Sequence, residues 1–250
     1  MIAVNLSSYG RYRDGALEHL ASIGIGYVEI PVPPPDKVSQ ITEELNRYGL
    51  RASTLMASLD LKSATVAEEM EPQFQVAQSL QVPILFASVH AGELGKEKAY
   101  ERLRQIGERA DAYGITLALE THPDLCTNAD EMLETMEGVH HPRIRINFDT
   151  ANIYFYNQGR DSVTELRKVA PFVVSVHLKD TNGGYRTWYF PGLGEGVVNF
   201  PEIFRILSER GFFGPYTMEI EGIEGESLTR EQVYDRVARS VDYLRKIGVF

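Results

Sequence analysis

The 250-residue chain is predicted to fold as one α/β domain, a (β/α)8 (TIM) barrel spanning residues 1–250. Three observations carry that expectation. Short β-rich runs alternate with helix-like stretches from end to end, there are eight of them, and eight such units in about 250 residues match the barrel in count and size. A doubly wound open sheet is the rival, because eight units do not by themselves require closure.

In order, the runs are IAVNLSSY from residue 2, YVEIPV from 27, RASTLMAS from 51, VPILFASVH from 82, TLALETH from 116, IRINFDTAN from 144, VVSVHLKD from 173 and PYTMEIEG from 215. Charged amphipathic segments such as Lys96 to Tyr113 and Arg230 to Ile247 lie between them, with apolar residues at helical spacing. Gly49 and Gly114 fall shortly before the next run, where a helix C-terminus needs a residue tolerant of positive φ. The longest interval, between the seventh and eighth runs, holds a glycine-rich loop from Asn182 to Val198 and then a helix near Pro201 to Arg210. An elaborated loop there is where a barrel shapes a substrate pocket. No linker, low-complexity tract or charge block marks a second domain.

Composition narrows the partners. With 25 basic and 35 acidic residues the net charge is -10, so the long-range field repels a phosphate backbone and nucleic acid is not expected. No apolar run approaches the roughly 20 residues of a membrane span, and Arg11, Arg13 and Asp14 arrive too early for a signal peptide. A cytoplasmic protein with no membrane partner is the expectation; a homo-oligomer is left open. Cys126 is the only cysteine, which excludes an internal disulfide and a thiolate cluster, so any metal must be held by oxygen and imidazole.

Alternate residues of a barrel strand point inward, so parity can be read along each run. If Glu120 faces in, so do Ala118 and His122. Asp149 then stands above Asn147, His177 above Ser175 and Glu219 above Thr217, while Leu119, Phe148, Leu178, Met218 and Ile220 face the helices. The outward set is uniformly apolar and the inward set is polar at the strand ends, as a site at the C-terminal mouth requires. Two Glu, one Asp and one His converging there form an oxygen-rich site suited to one divalent ion, Mn2+, Mg2+ or Co2+, with Zn2+ also compatible. Three carboxylates crowded without a cation would raise one another's pKa. Asn147, Ser175 and Thr217 are placed to orient the ligands from one layer below. Taken singly, Asp149 fits the cap of the next helix and His177 fits a core histidine.

The motifs LALETHP, FDTAN, VHLKD, PGLGEG and MEIEG, spread over essentially the whole chain, resemble those of the xylose-isomerase-like barrel superfamily of sugar-phosphate isomerases and epimerases. The resemblance implies one divalent ion held by a Glu, an Asp, a His and a second Glu in chain order, here Glu120, Asp149, His177 and Glu219. It further implies that Glu120 and Glu219 exchange a proton with opposite faces of the substrate. Two departures stand out. Many relatives carry His three residues after the metal-binding Asp, where this chain has Asn152, and an amide cannot shuttle protons. A substrate-contacting Arg of the ketose 3-epimerases corresponds only by loop, not by spacing, to Arg186.

The expected function is therefore divalent-metal-dependent isomerisation or epimerisation of a sugar, sugar phosphate or keto acid through an enediolate. A metal chelating adjacent carbonyl and hydroxyl oxygens stabilises the charge left by proton loss. The alternative is a metal-dependent lyase, a decarboxylase or dehydratase acting on a keto acid. A non-catalytic sugar-binding protein is a further reading. A related abasic-site endonuclease needs a trinuclear zinc cluster and a basic DNA face, and both are missing. His90, His122, Asn152, Lys179, Arg186 and Trp188 are the candidate substrate contacts, with Tyr189 beside Trp188 in a loop able to stack on a sugar ring. Glu29 on the second strand is expected to hold a structural pairing inside the barrel. The GLGEG stretch, Gly192 to Gly196, is weak as a dinucleotide signature because it does not lead from a strand directly into a helix, although it leaves a phosphorylated substrate open.

Overall fold

Eight parallel strands close on themselves. In the computed structural model, which describes residues 1–250, they are β1 (Ile2–Asn5), β2 (Tyr27–Pro31), β3 (Arg51–Met56), β4 (Ile84–Ala87), β5 (Thr116–Glu120), β6 (Ile144–Asp149), β7 (Val173–Leu178) and β8 (Tyr216–Met218). Closure is made by β8, which pairs with β7 on one side and with β1 on the other, Ile2, Ala3 and Val4 standing opposite Tyr216, Thr217 and Met218. That contact decides between the barrel and the open sheet.

The fourth strand is shorter than its run at both ends. It begins at Ile84 because the Val82 amide turns back to the Ala77 carbonyl and Pro83 has no N–H to give a ladder. It ends at Ala87, short of His90, because Ala91 and Gly92 donate their amides to the Asp124 carboxylate and pull the chain toward the loop after β5.

The outer helices start on side-chain caps where the sequence supplies them. Asn128 caps Ala129–Val139, Asp161 caps Ser162–Val169, Asn199 caps Phe200–Ser208, and Thr229 with Gln232 forms a capping box on Arg230–Lys246. At the end of Lys96–Ala112, Gly114 takes φ +69° while the Ile115 amide returns to the Ala110 carbonyl, the left-handed stop that a side chain would strain. No helix is long and apolar enough to cross a membrane.

Between sheet and helices the packing is apolar: Leu117, Leu119, Ile146, Phe148, Val176, Leu178 and Met218 are all fully buried. Each such side chain contributes about 1.5–3 kcal/mol by leaving water. The inner positions near the C-terminal ends are polar and equally buried, among them Glu29, Thr54, Asn147, Ser175 and Thr217. Two register shifts, at Val28/Glu29 against β3 and at Ile146/Asn147 against β7, set Glu29 beside Thr54 and Asp149 beside His177. Such irregularities re-aim side chains where a ladder would fix them otherwise. Over the mouth, Tyr189–Phe190 pairs antiparallel with Gly222–Ile223 and ties the long loop to the segment after β8.

Candidate metal centre

Four strand ends deliver four side chains to one point. Glu120 and Asp149 are the last residues of β5 and β6, His177 is the penultimate residue of β7, and Glu219 follows β8, its amide still donating to the Leu178 carbonyl at 3.0 Å. One potential ligand atom from each lies within 4.8 Å of all the others. Opposite ligands around an ion with bonds near 2.1 Å are about 4.2 Å apart, so roughly half an ångström of contraction closes the set.

His177 sits at the middle of this group. Its Nδ1 is 3.0 Å from Glu120 Oε1, 3.4 Å from Glu219 Oε2 and 4.0 Å from Asp149 Oδ2. Asp149 is divided in its duties. Oδ1 accepts the amides of Ala151 and Asn152 at 2.8 and 2.9 Å, whereas Oδ2 is buried with no hydrogen bond, Lys179 Nζ lying 3.2 Å away but out of line. A buried carboxylate oxygen without a donor is costly, and a cation at the centre is the partner that the donor set of three carboxylates and one imidazole fits.

The electrostatics express the same crowding. Burial, reinforced by the charges of Glu219 and Glu120, raises the Asp149 carboxyl above its ordinary range despite Lys179. Burial acts to raise Glu120 as well, but hydrogen bonds from His122 and His177 reverse the outcome and hold it well below that range. For Glu219 burial is likewise outweighed, here by the charges of Lys179 and His177, and its pKa falls to about 2. His177 and Lys179 are both pushed down by burial and pulled well up by their carboxylate neighbours, Glu29 and Glu219 for the histidine and Asp149, Glu219 and Glu221 for the lysine.

The remaining sequence-derived candidates divide by distance from this centre. His122 joins it, Nδ1 lying 3.1 Å from Glu120 Oε2, an oxygen that Ser88 also supplies with a hydrogen bond. Lys179 joins it too, 3% exposed, with Nζ 2.8 Å from Glu219, 2.6 Å from Glu221 and 4.9 Å from the Phe190 ring centre. His90 is on the loop past β4, exposed, with Nδ1 against the Pro123 carbonyl and its ring 6.4 Å from that of His122. Asn152 is buried and commits its side-chain amide to the Thr121 carbonyl. Arg186 lies over the Tyr185 ring at 5.2 Å. Trp188, 43% exposed, packs edge-on against Phe155 and Phe190 at the rim. Asn147 and Ser175 bond to each other rather than to the quartet above them, and Thr217 turns to Glu29.

The glycine loop has a different use from phosphate binding. Its Gly194 and Gly196 amides both donate to Asp180 Oδ2 at 2.9 Å, and a Cβ on Gly196 would fall 2.3 Å from Asp180 Oδ1 and from the Thr181 carbonyl. Those donors are spent inside the fold.

Sequence reading missed Glu221, Asn5 and Asp180. Glu221 shares the inward parity of Glu219 two residues on, so extending the pattern past the strand end finds it. It also walls a cleft of about 280 Å³ between the loop after β1 and the loop after β8. Asn5, which donates to Glu29 Oε1 at 2.9 Å and reaches Glu219 Oε1 at 3.3 Å, carries no local signal because both partners are distant in the chain.

Fold and quartet together define a class, and residues 17–248 match the family described as Xylose isomerase-like TIM barrel, to which the chain belongs. Among curated relatives, an uncharacterized protein of Methanocaldococcus jannaschii is 25% identical over 66% of this chain and 56% of its own length. A 3-dehydroshikimate dehydratase of Bacillus anthracis is 27% identical over 47% of each chain. The chain thus spans about half the length of these two relatives. It is also 27% identical to an L-ribulose-5-phosphate 3-epimerase of Shigella flexneri, over 78% of this chain and 68% of that one. Among solved structures, a D-psicose 3-epimerase of Clostridium cellulolyticum H10 superposes with a TM-score of 0.78 at 15% identity, covering 98% of both chains. A xylose isomerase domain protein of Planctomyces limnophilus gives 0.74 at 22%, covering 92% of this chain and 91% of the other.

Proposed function

We propose that the chain is a divalent-metal-dependent isomerase or epimerase of a sugar, sugar phosphate or keto acid. The observation that carries the proposal is the buried quartet Glu120, Asp149, His177 and Glu219, in which Asp149 Oδ2 is left without a hydrogen bond. Similarity to an L-ribulose-5-phosphate 3-epimerase supports the substrate class.

Glu120, Asp149, His177 and Glu219 would hold the ion, which would supply Lewis acidity to adjacent carbonyl and hydroxyl oxygens and so make the C–H of the hydroxyl-bearing carbon more acidic. The protein's own groups account for the rest. Asp149 and His177 act as fixed donors, held by backbone amides and by burial. Each glutamate turns one oxygen to His177 Nδ1 and keeps a second for other partners, Glu120 Oε2 meeting Ser88 and His122 and Glu219 Oε1 meeting Asn5. Glu120 and Glu219 thus present two carboxylates from non-adjacent strands, one to remove a proton and one to return it. Return to the opposite face gives epimerisation, and return to the neighbouring carbon gives isomerisation. Lys179 and His122 stand beside the two glutamates as positive or hydrogen-bonding contacts for substrate oxygens.

A dehydratase acting on a keto acid begins with the same proton removal, and a decarboxylase reaches a like enolate by loss of CO2; similarity to a 3-dehydroshikimate dehydratase favours keeping a lyase as the second reading. NMR of a panel of ketoses, ketose phosphates and keto acids in D2O, with and without Mn2+, separates the two. Metal-dependent deuterium uptake next to a carbonyl with an accumulating epimer or isomer supports the first, and net loss of water or CO2 supports the second. Absence of exchange and of any loss of water or CO2 on every member contradicts both. Glu219→Gln should abolish the uptake in a folded chain.

A further inference from the structure

Glu29 is not part of the quartet, yet it is buried at the foot of it, 1% exposed, with each oxygen engaged. Oε2 accepts from Thr54 Oγ1 and, at 3.3 Å, from Thr217 Oγ1, while Oε1 accepts from Asn5 Nδ2 at 2.9 Å. Oε1 also stands 3.0 Å from His177 Nε2, the ring nitrogen on the far side from the three carboxylates. That nitrogen is fully buried and has no hydrogen-bond partner; Glu29 Oε1, 3.0 Å away but off the line of the ring N–H, is the carboxylate oxygen that faces it and would take that proton on a small reorientation of the carboxylate or the ring. Phe86 packs edge-on against the same ring with centroids 4.7 Å apart.

A neutral imidazole has one lone pair and one N–H. For Nδ1 to offer its lone pair to an ion, the proton must reside on Nε2, and a carboxylate facing Nε2 selects that tautomer. Asn5 extends the arrangement, since the amide that anchors Glu29 also reaches Glu219 Oε1 at 3.3 Å. One buried side chain on β2 is thereby connected to two of the four converging groups.

We infer that Glu29 is the positioning residue of the centre: it fixes the Nε2-protonated tautomer of His177 and, through Asn5, the orientation of Glu219, so that both present their donor atoms to one divalent ion. The inference rests on the reading of the quartet as an ion site. A purely structural role, a polar plug in the barrel, makes no demand on the tautomer.

The test uses the full chain loaded with Zn2+, a diamagnetic ion, and long-range 1H–15N NMR of the histidine rings. The expected result in the Zn2+-loaded chain is a His177 ring protonated on Nε2 alone, with Nδ1 shifted by the ion; a proton on Nδ1 in the Zn2+-loaded chain, or Zn2+ ligation through Nε2, overturns the inference. In parallel, calorimetric titration of Glu29→Gln with Zn2+ should show affinity lowered by about 10–100-fold with the fold retained by circular dichroism, and Glu29→Asp should recover part of the loss. Unchanged affinity in Glu29→Gln overturns the inference alone, whereas an unaltered chain that takes up no divalent ion overturns the reading of the quartet and the inference with it. Should Glu29→Gln not fold, the ring measurement on the unaltered chain decides the matter.

Discussion

Asp149 and Asp180 are both fully buried aspartates at the C-terminal ends of neighbouring strands, and they are satisfied in opposite ways. Asp180 gives both oxygens to backbone amides, Oδ1 to Thr181 and Val198 and Oδ2 to Gly194 and Gly196. Asp149 gives one oxygen to the amides of Ala151 and Asn152 and leaves the other without a hydrogen bond, beside the quartet's other ligands. The contrast teaches how to tell a structural carboxylate from a functional one. The first is saturated by the fold that it braces; the second keeps capacity for something the fold does not supply.

Exchanging each aspartate for asparagine should therefore give opposite phenotypes. The largest effect is expected for Asp149→Asn, which removes a charge from the quartet: Mn2+ affinity by calorimetry should fall by more than about 100-fold, as befits loss of a direct ligand rather than an outer partner. Its melting temperature in the presence of a chelator should change little, because relief of repulsion among three buried carboxylates offsets loss of the Lys179 ion pair. Asp180→Asn should behave in reverse. One side-chain face now offers N–H to the amides of Gly194 and Gly196, and leaving both unsatisfied costs about 2–4 kcal/mol, a drop of roughly 5–15 °C in melting temperature. Its Mn2+ affinity should stay within a few-fold of the unaltered chain. If both variants lose ion binding, or both lose only stability, the distinction drawn between the two residues is wrong.

The smallest effect is expected at the rim. Trp188 is half-exposed and packs only edge-on against Phe155 and Phe190. Trp188→Ala should leave stability within about 0.5 kcal/mol in a denaturant melt and act on KM rather than kcat, as a contact shared by bound substrate and transition state does.

Much of this was legible in the chain because it is local. Runs such as IRINFD and VVSVHL declare strands, and the two-residue alternation separates Leu119, Phe148 and Leu178 from Glu120, Asp149 and His177 without any tertiary information. What was not legible is non-local. Closure depends on β1 meeting β8 across the whole chain length, and the early end of β4 depends on Asp124, more than thirty residues away. Lys179 could be placed inward by parity, but not its three carboxylate neighbours, since Asp149 ends β6 and Glu219 and Glu221 come from the segment after β8. The glycine loop is a further case: its sequence is weak as a dinucleotide signature and leaves a phosphorylated substrate open, and the anion its amides embrace is the chain's own Asp180.

The most direct measurement is anomalous diffraction from crystals soaked in Mn2+. The account predicts one anomalous peak per chain, within about 2.0–2.4 Å of donor atoms from Glu120, Asp149, His177 and Glu219. A map with no peak among those four side chains at saturating Mn2+, or with the ion held elsewhere, would contradict it.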